Sequence, residues 1–248
     1  MKLGVQTYTI RKLIKNNLKK ALQDLKILGI QNIELAYIPL TEQNLIVIKN
    51  SKIKVLSLQL KLRILKKDFD LIVNHCRNLQ CKRVVVSVIP LYTILGRRRA
   101  IIKLSKELNH LKNRYKKEHI EFALHHHDFE FKKIKDITKL DILLENTDQD
   151  VKIVTDTYWA AKSNVNPATL INSLKNRVMG VHLRDLRAPE DAEVGQGTID
   201  FKEVLLEAKK FASYAVIEQN TKQPFESLKL STDYINEHFQ NLFEQVDK

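Results

Sequence analysis

The chain has 248 residues, 44% apolar and 29% charged, the composition of a folded globular protein and not of a disordered one. No apolar run reaches the roughly 18 residues of a membrane span, which excludes a helical membrane protein. The net charge of +13 invites nucleic acid as a partner, but the basic residues are scattered and no aromatics interleave with Arg97-Arg98-Arg99, the one compact cluster, so the charge reads as solvated helix faces.

Short apolar segments alternate with amphipathic ones from end to end. The first strand is expected over 3–8, entered directly from Met1-Lys2 without a signal-peptide layout. Further strands are expected over 32–37, 54–59, 83–89, 121–126, 152–156, 179–183 and 214–218. Helices are expected over 18–28, 42–50, 68–78, 97–117, 137–145, 167–175, 201–211 and 226–244. Leu18, Ala21, Leu22, Leu25 and Leu28 have the spacing of a buried helix face. Gly29 follows as a C′ residue and Pro167 sits where a first helical turn tolerates proline. Cys76 and Cys81 form neither a metal spacing nor a disulfide framework, and read as two reduced thiols of a cytoplasmic protein. Eight strand–helix units with no Pro/Gly/Ser-rich linker predict a single α/β domain over 1–248, a parallel eight-stranded (β/α)8 TIM barrel. The six glycines give no Rossmann or P-loop fingerprint, which weighs against a doubly wound sheet.

In a barrel, strand residues alternate between the packed interior and the helix side, and chemistry gathers at the C-terminal rim. On that basis the first strand turns Gln6 and Tyr8 inward, the second carries Glu34, and the third ends at Gln59. In Phe122-Ala123-Leu124-His125-His126-His127 a period of two puts His125 and His127 on the inner face and His126 outside, in a packing or surface role. Asp156 ends the sixth strand, His182 and Arg184 the seventh, and Glu218 and Asn220 the eighth. Any one of these has a bland reading as a cap or a bonded core residue. Four consecutive strands ending in imidazole or carboxylate do not, because burying that much charge without a cation is costly. Two imidazoles with two carboxylates suit one divalent ion, Mn²⁺, Zn²⁺, Co²⁺ or Fe²⁺ more than Mg²⁺ or Ca²⁺. Glu130, just beyond the fifth strand, is open to two readings, a partner of these groups or a solvated loop acid.

Motifs along almost the whole chain resemble the sugar phosphate isomerase/epimerase group of xylose isomerase-like barrels. They are Gly4-Val5-Gln6-Thr7-Tyr8-Thr9-Ile10-Arg11, Ile33-Glu34-Leu35-Ala36, Leu124-His125-His126-His127-Asp128-Phe129-Glu130-Phe131 and Asp156-Thr157-Tyr158-Trp159. Val181-His182-Leu183-Arg184-Asp185, Val194-Gly195-Gln196-Gly197-Thr198 and Ile217-Glu218-Gln219-Asn220 continue the series. The resemblance implies a divalent metal held by His125, Asp156, His182 and Glu218. Enzymes of this kind bind a sugar's carbonyl and hydroxyl oxygens on the metal, which acidifies the neighbouring C–H, and a base then moves the proton in an isomerisation or epimerisation. Glu218 and His127 are the expected proton carriers. Gln6, Glu34, Gln59 and Arg184 are expected to orient the substrate, with Trp159 as an apolar wall.

The chain departs from the subgroup's pattern at Gln59, Arg184, Gln196 and Asn220, where the subgroup usually has histidine, lysine, glutamate and aspartate. These changes point to a different substrate or a weakened activity. An elimination of the inosose dehydratase kind shares the first step of proton removal, and a sugar-binding barrel without turnover is a further alternative. An abasic-site endonuclease shares the fold, but Trp159 stands where that enzyme needs a histidine ligand. The expected partner is a small sugar or sugar phosphate, with Arg11, Arg184 and Arg187 able to receive a phosphate or carboxylate. Neither a membrane nor nucleic acid is expected as a partner, and a homodimer is compatible with the sequence.

Overall fold

The computed structural model describes residues 1–244. Its eight long-range strands are all parallel and close on themselves. They are β1 (Lys2–Gln6), β2 (Asn32–Leu35), β3 (Lys54–Leu60), β4 (Arg83–Val86), β5 (Glu121–His125), β6 (Val151–Asp156), β7 (Val178–Leu183) and β8 (Tyr214–Ile217). Each strand pairs with its neighbours in sequence, and the ring closes where Lys2 and Val5 of β1 lie against Tyr214 and Ile217 of β8. This is the expected (β/α)8 barrel.

The helices are α1 (Arg11–Ile27), α2 (Glu42–Ser51), α3 (Leu62–Lys67), α4 (Phe69–Asn78), α5 (Leu91–Ile94), α6 (Arg98–Lys117), α7 (Lys139–Asn146), α8 (Thr157–Lys162), α9 (Pro167–Leu174), α10 (Phe201–Phe211) and α11 (Pro224–Phe239). Three of them, α3, α5 and α8, were not expected. Each is only four to six residues long, too short to show a helical period. α1 begins earlier than the expected 18–28 but breaks at Asn17 (φ −159°, ψ 97°). The Asn17 side chain accepts the Lys20 N–H at 2.9 Å, so it caps the second half where the apolar stripe begins. At the other end Gly29 (φ +78°) lets its N–H reach the Lys26 carbonyl and that of Ile30 the Leu25 carbonyl, a Schellman closure that would strain any other residue. α7 starts at Lys139, later than the expected 137, because Thr138 and Asp141 form a capping box.

Two apolar clusters hold the barrel. The larger lies between strands and helices and includes Val5, Leu22, Ile33, Leu58, Leu104, Ile153 and Leu228. The smaller is Leu56, Val85, Ala123, Val154, Met179, Tyr214 and Val216; it floors the interior, since Ala123, Val154 and Val216 share strand faces with His125, Asp156 and Glu218. Register shifts between β2 and β3 and between β6 and β7 each insert one extra residue, Leu56 and Met179, and both join this inner layer. Above it the interior turns polar. Among the described residues no helix is long and apolar enough to cross a membrane.

Candidate metal centre and active site

The ends of β5 to β8 bring four ionisable side chains together. His125 and Asp156 are the last residues of β5 and β6, His182 lies one residue before the end of β7, and Glu218 follows β8 directly. One ligand atom from each lies within 4.8 Å of all the others, and all four residues are buried. His125 Nε2 stands 3.6 Å from Asp156 Oδ2, and His182 Nδ1 stands 2.7 Å from Glu218 Oε2. Despite the short second distance, neither His182 Nδ1 nor Glu218 Oε2 is aligned for a hydrogen bond. Both nitrogens of His125, Asp156 Oδ2, His182 Nδ1 and Glu218 Oε2 are buried polar atoms without a hydrogen-bond partner. A native interior leaves few such atoms, and here four of them, one from each residue, lie within 4.8 Å of one another. Their donor set, two imidazoles and two carboxylates, suits a transition-metal divalent ion, so the residues present fit such a group.

The surrounding chain aims each of these atoms. Asp156 uses Oδ1 to cap α8, accepting the Trp159 N–H at 3.0 Å, which leaves Oδ2 facing the cluster. His182 is pinned from below by Glu34, whose Oε1 lies 2.7 Å from Nε2, so Nδ1 is the nitrogen presented upward. Glu34 is itself held by the Ser57 hydroxyl and by the Tyr214 hydroxyl, the latter at 2.8 Å. The Tyr214 ring fits because residue 180 is glycine; a Cβ there would overlap the ring.

Charge pairing outweighs burial at these groups. Burial alone would raise Glu218, yet its contact with His182 and the nearby Arg184 bring it down to about 2. Burial opposes ionisation of Asp156 too, and Arg184 and His125 hold it below the ordinary carboxylate range. For His182 burial favours the neutral ring, but Glu34 and Glu218 raise it to about 10.

One expectation needs correction and one open choice is decided. Glu34 sits behind the cluster and not at the mouth: its carboxylate partners are His182, Ser57 and Tyr214. Of the two readings of His126, packing and surface, it is packing that holds, with its ring edge-on to Phe131 at 5.0 Å. His126 is buried, and its Nε2 accepts the Asp156 backbone N–H at 3.1 Å, tying β5 to β6 beside the cluster. Burial lowers it to about 3, which keeps that nitrogen an acceptor.

Of the other expected residues, Arg184 and His127 border the cluster, while Gln6 and Gln59 pair with each other. Arg184 lies 3.4 Å from Glu218 and 3.7 Å from Asp156, and its second terminal nitrogen pairs with Asp191 at 3.1 Å. The Gln6 amide donates to Gln59 Oε1 at 2.5 Å. His127 packs edge-on to His125 (4.7 Å between ring centres), stacks on Phe129 (5.0 Å) and sits 5.5 Å from the Trp159 ring. Its backbone N–H donates to Glu130 Oε2 at 2.8 Å. Glu130 is fully buried, which removes the reading as a solvated acid, and burial pushes its carboxyl up to about 8.

Two residues escaped the sequence reading. Asp191 belongs to an antiparallel ribbon of Asp185–Arg187 with Glu190–Ala192, and only folding brings it to Arg184 and to the Asn220 N–H. Asp185 is buried and its carboxylate accepts the backbone N–H groups of Leu186, Gly195, Gly197 and Ile199. Gly197 permits that approach, since a Cβ there would strike the Asp185 carboxylate.

No model of a known protein family matches the chain. An inosose dehydratase from Lactiplantibacillus plantarum is 25% identical over 90% of this chain and 89% of its own length. Among solved structures, a sugar phosphate isomerase/epimerase from Parabacteroides distasonis superposes with a TM-score of 0.82 over 98% of this chain and 97% of that one, at 17% identity. The IolI protein with a bound zinc atom gives a TM-score of 0.77 over 99% of this chain and all of its own, at 18% identity. The closed parallel (β/α)8 barrel is therefore the fold this chain shares with solved structures that include sugar phosphate isomerases/epimerases.

Proposed function

We propose that the chain is a divalent-metal-dependent enzyme that moves a proton on a carbon next to the carbonyl of a sugar or sugar derivative, as an isomerase or epimerase. The observation that carries this reading is the convergence of unpartnered buried atoms from His125, Asp156, His182 and Glu218. A divalent ion held by those four residues supplies a Lewis acid that makes the hydrogen beside a sugar carbonyl removable.

The chain's own residues supply the rest. Glu218 is the base: it is the most accessible of the four, at 8% exposure, and its low pKa keeps it ionised at neutral pH. His127 is the second proton carrier. Its ring lies against His125 and Trp159 and its Nδ1 has no protein partner, and since burial keeps the ring neutral it enters as a proton acceptor. Gln6 and Gln59, locked to each other, present amides to sugar hydroxyls. Arg184 orients Glu218, and Trp159 offers an apolar face to the carbon skeleton. The support for a sugar as substrate is the likeness to the dehydratase and to the isomerase/epimerase barrels.

The test is metal content per chain after purification without added metal, for the parent and for an Asp156→Asn/His182→Ala variant. About one transition-metal ion in the parent and none in the variant is expected. Ketoses and inososes are then screened for exchange of a carbon-bound proton with deuterated solvent. A parent that takes up no Mn²⁺, Co²⁺ or Zn²⁺ sinks the reading.

The similarity to an inosose dehydratase favours one second reading, elimination of water after the same proton removal. Exchange accompanied by an enone product would identify it. An abasic-site endonuclease needs more metal ligands than this mouth offers, since among the described residues no second group of this kind is present.

A further inference from the structure

Near the strand ends the proposed chemistry leaves Arg11 unused. Arg184 is committed to Asp156, Asp191 and Glu218, and Arg187 donates twice to the Gln196 carbonyl. Arg11 differs. One terminal nitrogen donates to the Tyr8 carbonyl and the other to Asn220 Oδ1, both at 2.8 Å, while the guanidinium carbon lies 3.8 Å from the centre of the Tyr8 ring. All of these partners are neutral, and among the described residues no carboxylate pairs with it. A guanidinium carries five N–H donors, so most of this fork has no protein partner although stacking and two bonds fix its plane.

The neighbouring carboxylate is already paired: Asp191 Oδ2 accepts the Asn220 backbone N–H at 2.9 Å and lies 3.1 Å from Arg184. Arginine can only donate, so the Asn220 oxygen faces it and the Asn220 amide N–H groups point elsewhere, also without a protein partner. Asn220 lies two residues beyond Glu218, and Tyr8 two beyond Gln6, which sets the pair on the rim at the β1–β8 seam. The seam is open to solvent: Asn220 is exposed, and Tyr37, whose ring lies 5.1 Å from that of Tyr8, is 68% exposed.

We propose that Arg11 and Asn220 form a subsite for an anionic group, a phosphate or a carboxylate, carried by the substrate away from its reacting carbon. The inference rests on the proposed function for the word substrate, but the anion site stands or falls by itself. A planar fork held on an aromatic ring matches two oxygens of either group, and the amide of Asn220 supplies a further donor.

The probes are methyl phosphate and acetate, titrated into the purified protein with chemical shifts or heat as the readout. Arg11→Gln and Asn220→Asp should each weaken binding about tenfold or more. The second variant keeps an acceptor for Arg11 but pairs its charge internally, so it separates charge from fold. Treatment with a chelator should leave binding unchanged, and the tighter of the two probes names the group. Equal affinity in parent and both variants overturns the proposal. So does binding that vanishes with the chelator and survives Arg11→Gln, because the anion would then sit on the metal cluster. Loss of the metal-dependent reading alone would leave the anion titrations intact.

Discussion

His182 is the residue whose surroundings constrain the chemistry most tightly. A histidine with free rotation could offer either ring nitrogen to the cluster; Glu34 decides which one by taking Nε2. Glu34→Gln keeps the size and an acceptor oxygen but replaces a charge-assisted bond by a neutral one. Such a change behind a ligand histidine costs roughly 10–100-fold in metal affinity, to be read by competition with a chromophoric chelator, with unchanged far-UV circular dichroism. An affinity within about twofold of the parent would mean that Glu34 only fills space. Glu130 gives a second prediction with a definite sign. Burial raises its carboxyl to about 8, so between the ordinary carboxylate range and that value the folded chain keeps a proton the unfolded chain has released. The stability from this group is full at low pH and is lost as pH rises through about 8. Glu130→Gln can still accept the His127 N–H and has no proton to lose. Melting temperatures of the two proteins should therefore diverge from about pH 5 to about pH 9, with the variant gaining on the parent. A constant difference across that range would show that Glu130 ionises freely.

At the scale of the element, the loop after β7 depends on one carboxylate. Asp185 takes four backbone N–H groups at 2.8 to 3.0 Å, and the segment from Val194 to Ile199 has no regular ladder of its own. Asp185→Asn turns a donor toward groups that can only donate, which should cost about 1–3 kcal/mol, measured as a shift in the urea midpoint with an unchanged slope. The same ribbon shows where sequence reasoning stops. All eight barrel strands were legible, because an apolar run closed by a polar residue every thirty or so positions has no other economical packing. The inward set at the strand ends followed from the period of two. Depth did not: Glu34 is inward as expected but lies beneath His182, and the stagger of β2 against its neighbours that sets this level leaves no mark on the local pattern. Nor could the partner of Arg184 be read, since Asp191 reaches it through a ribbon that pairs only in the folded chain. The six residues of α1 before its break, Arg11 to Asn16, carry too few apolar positions to show a helical period.

For the whole molecule the cluster is a cost that the barrel carries. Its four members and Glu34 sit above a small apolar floor, and bringing charge there from water is unfavourable unless every charge is paired. His182 and Arg184 do part of that pairing, yet the ligand atoms themselves lack hydrogen bonds. An ion that binds the folded chain and not the unfolded one shifts stability by mass action. At a free concentration about a hundredfold above its dissociation constant the gain is about 2.7 kcal/mol. For a chain of this size that corresponds to a rise in melting temperature of roughly 5–10 °C. The Asp156→Asn/His182→Ala variant, with half the ligands removed, should show no such rise with Mn²⁺, Co²⁺ or Zn²⁺. Its metal-free melting temperature is informative as well. Losing His182 leaves Glu34 and Glu218 facing one another without the cation between them, so the variant should melt below the metal-free parent. A variant as stable as the parent, together with a parent indifferent to metal, would mean that these four strand ends meet for packing alone.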